Sequence, residues 1–455
     1  MDPELEQFMR IKPKPLAPRA RRALADQPTA LAAAPAGGLV AAGTYSDEIE
    51  ILDEDLNLIA SLEGHTGGCT ALAFAAGGAL LVSAGEDGCA AVWAVGGGGG
   101  GALKARLPAE GVDADRTPDG HTVGCVAVSP DGSLAACAAG KTVHLFEPAA
   151  EDIEATRRVF PPVAGGVVTD VRFAGPRRLL AAHYGGVVLY GAEPGEGGLA
   201  LEHGVNILSV AATPDLRWIV GGCMDSTVHI WNVERRAPGE RPALAGGAGA
   251  GAAAGAAAPA AAAAAPGPVG EGAESAAAQP GGGGGGSGGR EDEDEDESEG
   301  GSGSPPAPVS ILEGPDGAIL EVVTRVDFGA SLGGAPLLAS CGGNACLVWD
   351  FGGPGPAGGA PTVALGHTKP VQCQCWHPTK PGVMVTGGRD GRLLLFETYN
   401  AADGMEEGMP ALCGPAAVDP APSGEEVVAV AWGSGGALIS AHANGDVKSW
   451  SWLEG

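Results

Sequence analysis

Positive charge is scarce: 26 Lys and Arg stand against 55 Asp and Glu in 455 residues, a formal net charge of −29. Neutralising nucleic-acid phosphates takes a clustered basic surface, so the balance counts against direct nucleic-acid contact. The acidic run near residue 295 explains only a minority of the excess. Aromatics are few, at 4%, so a core must rest on Val, Leu, Ile and Ala, each gaining roughly 25 cal/mol per Å² buried. No stretch approaches the roughly 18 consecutive apolar residues of a membrane span. The acidic start Met1-Asp2-Pro3-Glu4-Leu5-Glu6 carries no secretory hydrophobic segment. No cysteines pair at C-x-x-C spacing, and no His follows one at a zinc interval. Cys89, Cys125, Cys137, Cys223 and Cys346 sit singly in apolar segments. Cys373 and Cys375, two apart, share one face of a strand as small packed residues. These absences predict a cytoplasmic or nuclear protein in a reducing compartment, with no membrane, metal or cofactor.

What is abundant is repetition. Thr29–Asp53, TALAAAPAGGLVAAGTYSDEIEILD, aligns with Thr70–Ala94, TALAFAAGGALLVSAGEDGCAAVWA. Both read as an apolar strand, a Gly-containing turn, a second apolar strand, a tight polar turn and a third strand. The unit returns at Cys125–Phe146, Val168–Tyr190, Ile207–Val233, Val322–Asp350, Val371–Phe396 and Val427–Trp450. Between units lie short segments such as Leu56–Leu62 and Thr362–Leu365, each a candidate fourth strand.

These units resemble the WD40 family. Its Gly-His signature stands at Gly64-His65, Gly120-His121 and Gly366-His367, and one literal Trp-Asp at Trp349-Asp350. Elsewhere the ending drifts to Trp93-Ala94, Phe146-Glu147, Trp231-Asn232 and Phe396-Glu397. The resemblance implies an all-β fold: a single β-propeller of about eight four-stranded blades, or seven if the Val168 or Thr29 unit is irregular. It also implies a hydrogen-bonded structural tetrad at His65, Ser83, Asp87 and Trp93. Partial tetrads are expected at His367, Thr386, Asp390 and Phe396, and at Asp225 and Trp231. A His/Ser/Asp set invites a catalytic-triad reading, but Ser83 lies inside the apolar strand Leu80-Leu81-Val82-Ser83-Ala84, where a nucleophile has no access.

The chain divides into a flexible basic and proline-containing N-terminal tail at 1–28, five blades over 29–235, a low-complexity Ala/Gly/acidic insert at 236–307, and three blades over 308–455. The insert is expected to be disordered, since it cannot bury enough apolar surface to offset its ordering entropy. The last blade ends short of a fourth strand, which is expected from the N-terminal region near Gln7–Ile11. Arg10, Lys12, Lys14, Arg19, Arg21 and Arg22 form the basic cluster of the tail.

The function implied is a non-enzymatic scaffold, a monomeric propeller binding other proteins within a hetero-complex. Its docking face should carry the residue before each tight-turn acid: Glu86, Met224 and Arg389. A second reading is a component of an RNA-processing or chromatin assembly that touches nucleic acid indirectly or through the basic tail. A third is a propeller enzyme with a channel-mouth site, for which His183, His203, His229 and His442 share no spacing.

Overall fold

The computed structural model describes residues 13–96, 101–108, 122–193, 196, 198–233, 310–312, 322–352, 360–400, 411–419, 422 and 424–452. Contacts group the chain into one large unit, Met1–Ala265 with Pro306–Gly455, and a small one, Pro266–Pro305, that lies wholly outside the described residues. The large unit is built of strands, with a one-turn helix at Ile153–Thr156.

Its element is a quartet of strands. Quartet 1 is Pro28–Ala33, Leu39–Thr44, Glu48–Asp53 and Leu58–Glu63, hydrogen-bonded in that order. Quartet 2 is Cys69–Ala75, Leu80–Gly85, Cys89–Ala94 and Ala102–Pro108, and quartet 3 is Val123–Val128, Ala135–Ala139, Thr142–Phe146 and Arg158–Val159. Quartets 4 and 5 share one six-stranded sheet: Val168–Phe173, Arg178–Gly191, Leu199–Ala212, Trp218–Cys223, Val228–Asn232 and Ser310–Leu312. Its two 14-residue strands each run on from one strand position to the next. Quartet 6 is Arg325–Ala330, Pro336–Cys341, Cys346–Asp350 and Thr362–Ala364, with Ala411–Cys413 added in parallel. Quartet 7 is Val371–Trp376, Val383–Gly388, Leu393–Glu397 and Ala417–Val418. Quartet 8 is Val427–Trp432, Leu438–His442, Asp446–Ser451 and, from the other end of the chain, Ala17–Ala23.

The first strands contact one another in cyclic order, from Pro28–Ala33 round to Val427–Trp432 and back, so the quartets close a ring. Counted as hydrogen-bonded sheets, the propeller has seven blades. Counted by strand order it has eight quartets, because one blade is double. An apolar cluster fills each junction between quartets, the 8–1 junction included. Each sheet is therefore covered on both faces, which is why second strands read as unbroken apolar runs. Leu80–Gly85, Trp218–Cys223 and Val383–Gly388 are buried at every position, whereas the outer strand Ala102–Pro108 is largely exposed.

Three expectations need correction. The N-terminal segment is not a flexible tail through residue 28: Lys14–Pro15 pairs in parallel with Ala417–Val418 of quartet 7, and Ala17–Ala23 is the closing strand of quartet 8. Its charges are neutralised locally, since Arg19 bonds Asp55 at 2.7 Å, Arg21 Asp446 at 2.8 Å and Arg22 Glu50 at 2.5 Å. The closing strand is thus Ala17–Ala23, not Gln7–Ile11, which lies outside the described residues, as do Arg10 and Lys12. The second correction concerns the boundary at 308. Ser310–Leu312 pairs with Val228–Ile230, so the segment resuming there first completes quartet 5. The insert at 236–307 therefore joins the third and fourth strands of one quartet, and itself lies outside the described residues. Third, not every cysteine is solitary: the hairpin Cys341–Cys346 places the two residues opposite each other, Cα atoms 4.5 Å apart, and they form a disulfide.

Candidate functional site

Where a quartet's second and third strands are separate, a tight turn joins them, and the loop entering that quartet's first strand lies at the same end. In quartet 2 these two loops are tied together by the expected tetrad. Trp93 Nε1, which can only donate, reaches Ser83 Oγ at 2.8 Å. The Ser83 hydroxyl is hydrogen-bonded to His65 Nε2 at 2.7 Å, and Nδ1–H, facing a carboxylate that can only accept, donates to Asp87 at 3.0 Å. Asp87 also accepts from the backbone N–H of Thr66 and Cys89 at 3.0 Å and from Arg106 Nη2 at 2.9 Å. Burial pushes the Asp87 carboxyl up, but the His65 imidazole and those backbone donors outweigh it and hold it well below the ordinary carboxylate range.

The motif's glycines have mechanical reasons. A Cβ on Gly64 would sit 2.7 Å from the Trp93 ring, and one on Gly85 would collide with the His65 ring. Quartet 7 repeats the arrangement: His367 Nε2 meets Thr386 Oγ1 at 2.8 Å and Nδ1 meets Asp390 at 3.0 Å. Buried Phe396 takes the indole's place and offers no donor. In quartet 5, Asp225 Oδ1 accepts from Thr227 N at 3.1 Å. Trp231 Nε1 is buried and has no partner among the described residues, because Gly221 stands in the register position of Ser83. Two serine–indole pairs were missed by sequence reading, Ser340 with Trp349 at 3.2 Å and Ser440 with Trp450 at 2.9 Å. Their signal was a serine two residues beyond the one paired with the tryptophan across the hairpin.

Ser83 is 0% exposed, so it cannot meet a substrate, and the set is a structural clasp. Of the four scattered histidines, His183, His229 and His442 are buried in three different quartets, while the His203 side chain lies outside the described residues. Gly120-His121 lies wholly outside them. Cys373 and Cys375 pack together in the apolar cluster between quartets 7 and 8, and burial pushes the Cys373 thiol up to about 12. They form no donor cluster with a third residue among the described residues.

The residues expected to meet partners, Glu86, Met224 and Arg389, are all exposed and occupy one structural position. Each backbone N–H bonds the carbonyl just before its quartet's first strand: Glu86 to Gly68, Met224 to Asn206, and Arg389 to Pro370. Tyr45, Tyr184 and Ala443 make the same bond, to Gln27, Val167 and Glu426. They are thus equivalents in quartets 1, 4 and 8. Glu86, Met224 and Arg389 lie in quartets 2, 5 and 7 and do not adjoin. Tyr184 and Met224 do: Tyr184 pairs with Asn206, whose Nδ2 reaches Met224 Sδ at 3.5 Å. Arg389 lies 3.7 Å from Glu426 of quartet 8, an exposed pair that solvent screens.

The opposite end of the ring is concave. A cavity of about 620 Å³ opens there among the first-to-second strand turns, lined by Phe74, Phe173, Phe328 and Trp432 with Asp131, Arg172 and Asp327 as charged members. Arg172 is already engaged by Asp170 at 3.5 Å. Asp170 accepts in turn from Ser209 Oγ at 3.2 Å and Val210 N at 3.1 Å.

The repeat unit is matched by the family profile described as WD40: WD domain, G-beta repeat, over residues 56–94, 115–147, 200–232 and 359–397. Four WD40 repeats are thus found in a chain whose strand quartets close into a β-propeller. The matched WD40 repeats end on the drifted pairs Trp93-Ala94, Phe146-Glu147, Trp231-Asn232 and Phe396-Glu397, while the literal Trp349-Asp350 lies outside them. No curated protein matches the chain. Among solved structures, the C-terminal WD40 domain of Sif2 is similar with a TM-score of 0.61 and 12% identity, covering 97% of this chain and 100% of that one. At that identity the likeness is one of fold. WD40 propellers are typical interaction scaffolds, and among the described residues no helix is long and apolar enough to cross a membrane.

Proposed function

We propose that this WD40 propeller is a non-enzymatic scaffold, a monomeric ring that docks protein partners on the face of its tight turns within a larger cytoplasmic or nuclear complex. One observation carries the reading. At the equivalent turn positions, Tyr45, Tyr184 and Met224 expose large apolar side chains, 51%, 38% and 48% accessible. Val167, bonded to Tyr184 through the backbone, adds a fourth at 44%. Exposed aromatic and Met side chains contribute little to folding and are the usual anchors of protein interfaces. Around them stand Glu86, Asp225 and Arg389, which supply a charged rim.

The test is a paired variant. Tyr184→Ser with Met224→Ser should abolish capture of partners by the tagged chain from its own cells. The melting temperature should shift by less than about 2 °C, as expected where surface changes stay within ±0.5 kcal/mol. Capture that persists unchanged moves docking to another surface.

A further inference from the structure

In quartets 2 and 7 the imidazole comes from the loop before the first strand, and the second strand ends in Gly85 or Gly388, whose missing Cβ makes room for the ring. Quartet 5 departs at both positions. Cys223 stands where quartet 2 has Gly85, each paired with the opening residue of its first strand. His229, on the third strand, stands where quartet 2 has Ala91. Even so, its ring meets Trp231 at 6.1 Å and 58°, nearly as His65 meets Trp93 at 6.2 Å and 57°. In quartet 5 a thiol and an imidazole therefore stand beside the tight-turn carboxylate, at positions held by Gly85 and Ala91 in quartet 2. Cys223 Sγ, an Asp225 carboxylate oxygen and a His229 ring nitrogen lie within 4.8 Å of one another, the one such trio among the described residues.

We propose that this turn binds a divalent transition-metal cation, zinc(II) by its donor chemistry, through Cys223 Sγ, the Asp225 carboxylate and the His229 imidazole. The inference is independent of partner docking. One thiolate, one imidazole and one carboxylate form a borderline-soft set that suits zinc and excludes magnesium and calcium, which take oxygen ligands. Cys223 and His229 are buried and Asp225 is exposed, so solvent supplies the fourth position of a tetrahedron. Zinc bonds of about 2.0–2.3 Å can be reached by donors that all lie within 4.8 Å of one another. Asp225 sits at the tip of a hairpin turn beside Ser226, at φ 70°. Asp225 Oδ1 already accepts from Thr227 N at 3.1 Å and from Thr227 Oγ1, so the turn holds the carboxylate in place. Binding replaces the Cys223 S–H bond by S–Zn and releases that proton to solvent, so affinity falls as pH falls.

The full chain, with any histidine tag removed, is titrated with zinc(II) and, as a spectroscopic probe, with cobalt(II). One equivalent should bind, and cobalt should show a thiolate charge-transfer band. Both should vanish in Cys223→Ser and His229→Gln and survive in Cys373→Ser. Zinc should raise the melting temperature of the wild type and leave those two variants unmoved. Asp225→Asn, at the exposed tip, keeps the fold testable if the buried variants do not fold. It should weaken zinc affinity by about tenfold or more, since even outer-shell partners count for that much. No uptake from micromolar zinc, a cobalt spectrum without the thiolate band, or full affinity in Asp225→Asn would each overturn the proposal and leave His229 as a structural substitute for the loop histidine.

Discussion

A tetrad residue works by satisfying its neighbours. Removing His65 leaves the Ser83 hydroxyl and the Asp87 carboxylate buried without their shared partner. His65→Ala should therefore lower unfolding free energy by about 3 kcal/mol in denaturant titration. Phe396→Ala should also destabilise, but through a cavity instead of a lost bond. Protonation acts at the same scale. The Asp390 carboxyl, pushed up by burial but pulled down further by His367 and the Thr368 N–H, sits at about 2. Its folded value lies below the unfolded one, so its contribution is complete above about pH 4 and is lost as pH falls towards 2. His144 and His442 are lowered to about 4, chiefly by burial and next by Arg157 and Lys448 respectively. Both are neutral in the fold, so stability is full above about pH 6.5 and declines from there to about 4, as the unfolded chain takes up protons first. His442→Gln should flatten the fall in melting temperature over that window; an unchanged slope would remove His442 from the account. The four tetrad positions were legible because the turn acid and the indole carry fixed offsets from the Gly-His pair. Arg106 was not, because nothing in its own strand marks it as facing Asp87. Nor was His229, whose partners lie across a hairpin at a spacing unlike any zinc motif sought.

At the scale of the element, the first strand recurs with a bulge at its second residue. Register shifts fall at Thr29, Thr70 and Thr169, among others. The bulge turns those hydroxyls toward the next quartet. Thr29 Oγ1 donates to Cys69 O, Thr70 Oγ1 to Val123 O at 2.5 Å, and Thr169 Oγ1 to Ile207 O at 2.6 Å. Thr70→Val keeps the shape and deletes the bond, so it should cost about 1 kcal/mol in chemical unfolding. No loss would show that packing alone joins the quartets. The N-terminal strand does more. Lys14–Pro15 and Ala17–Ala23 clip quartet 7 to quartet 8, with Leu16 and Leu24 buried, each worth about 1.5–3 kcal/mol. Deleting residues 1–24 should lower the melting temperature sharply and broaden the transition; a full-length melting curve would contradict closure by this strand. That a fourth strand was missing at the C-terminal end could be read from the sequence. Which N-terminal residues supply it could not, because Pro-Arg-Ala-Arg-Arg reads as a solvated tail until acids from quartets 1 and 8 are brought beside it.

At the scale of the whole molecule, the ring was legible because its period is written in apolar runs. The doubling of one blade was not. It depends on Leu199–Ala212 serving as both the last strand of quartet 4 and the first strand of quartet 5. The shared turn position was half visible: Tyr45 and Glu86 already align in the first two repeats, but Tyr45 precedes no acid and so escaped a search keyed to the turn acid. Ring geometry also separates two faces, one with exposed apolar anchors and one with the 620 Å³ cavity. Photo-cross-linking in cells distinguishes them most directly, with a reactive amino acid placed singly at Tyr45, Glu86, Tyr184, Met224 or Arg389, and at Pro214 or Ser434 on the cavity side. The account predicts partner adducts from the first set, strongest at 184 and 224, and none from the second. Adducts from Pro214 and Ser434, with silence at Tyr184 and Met224, would contradict it.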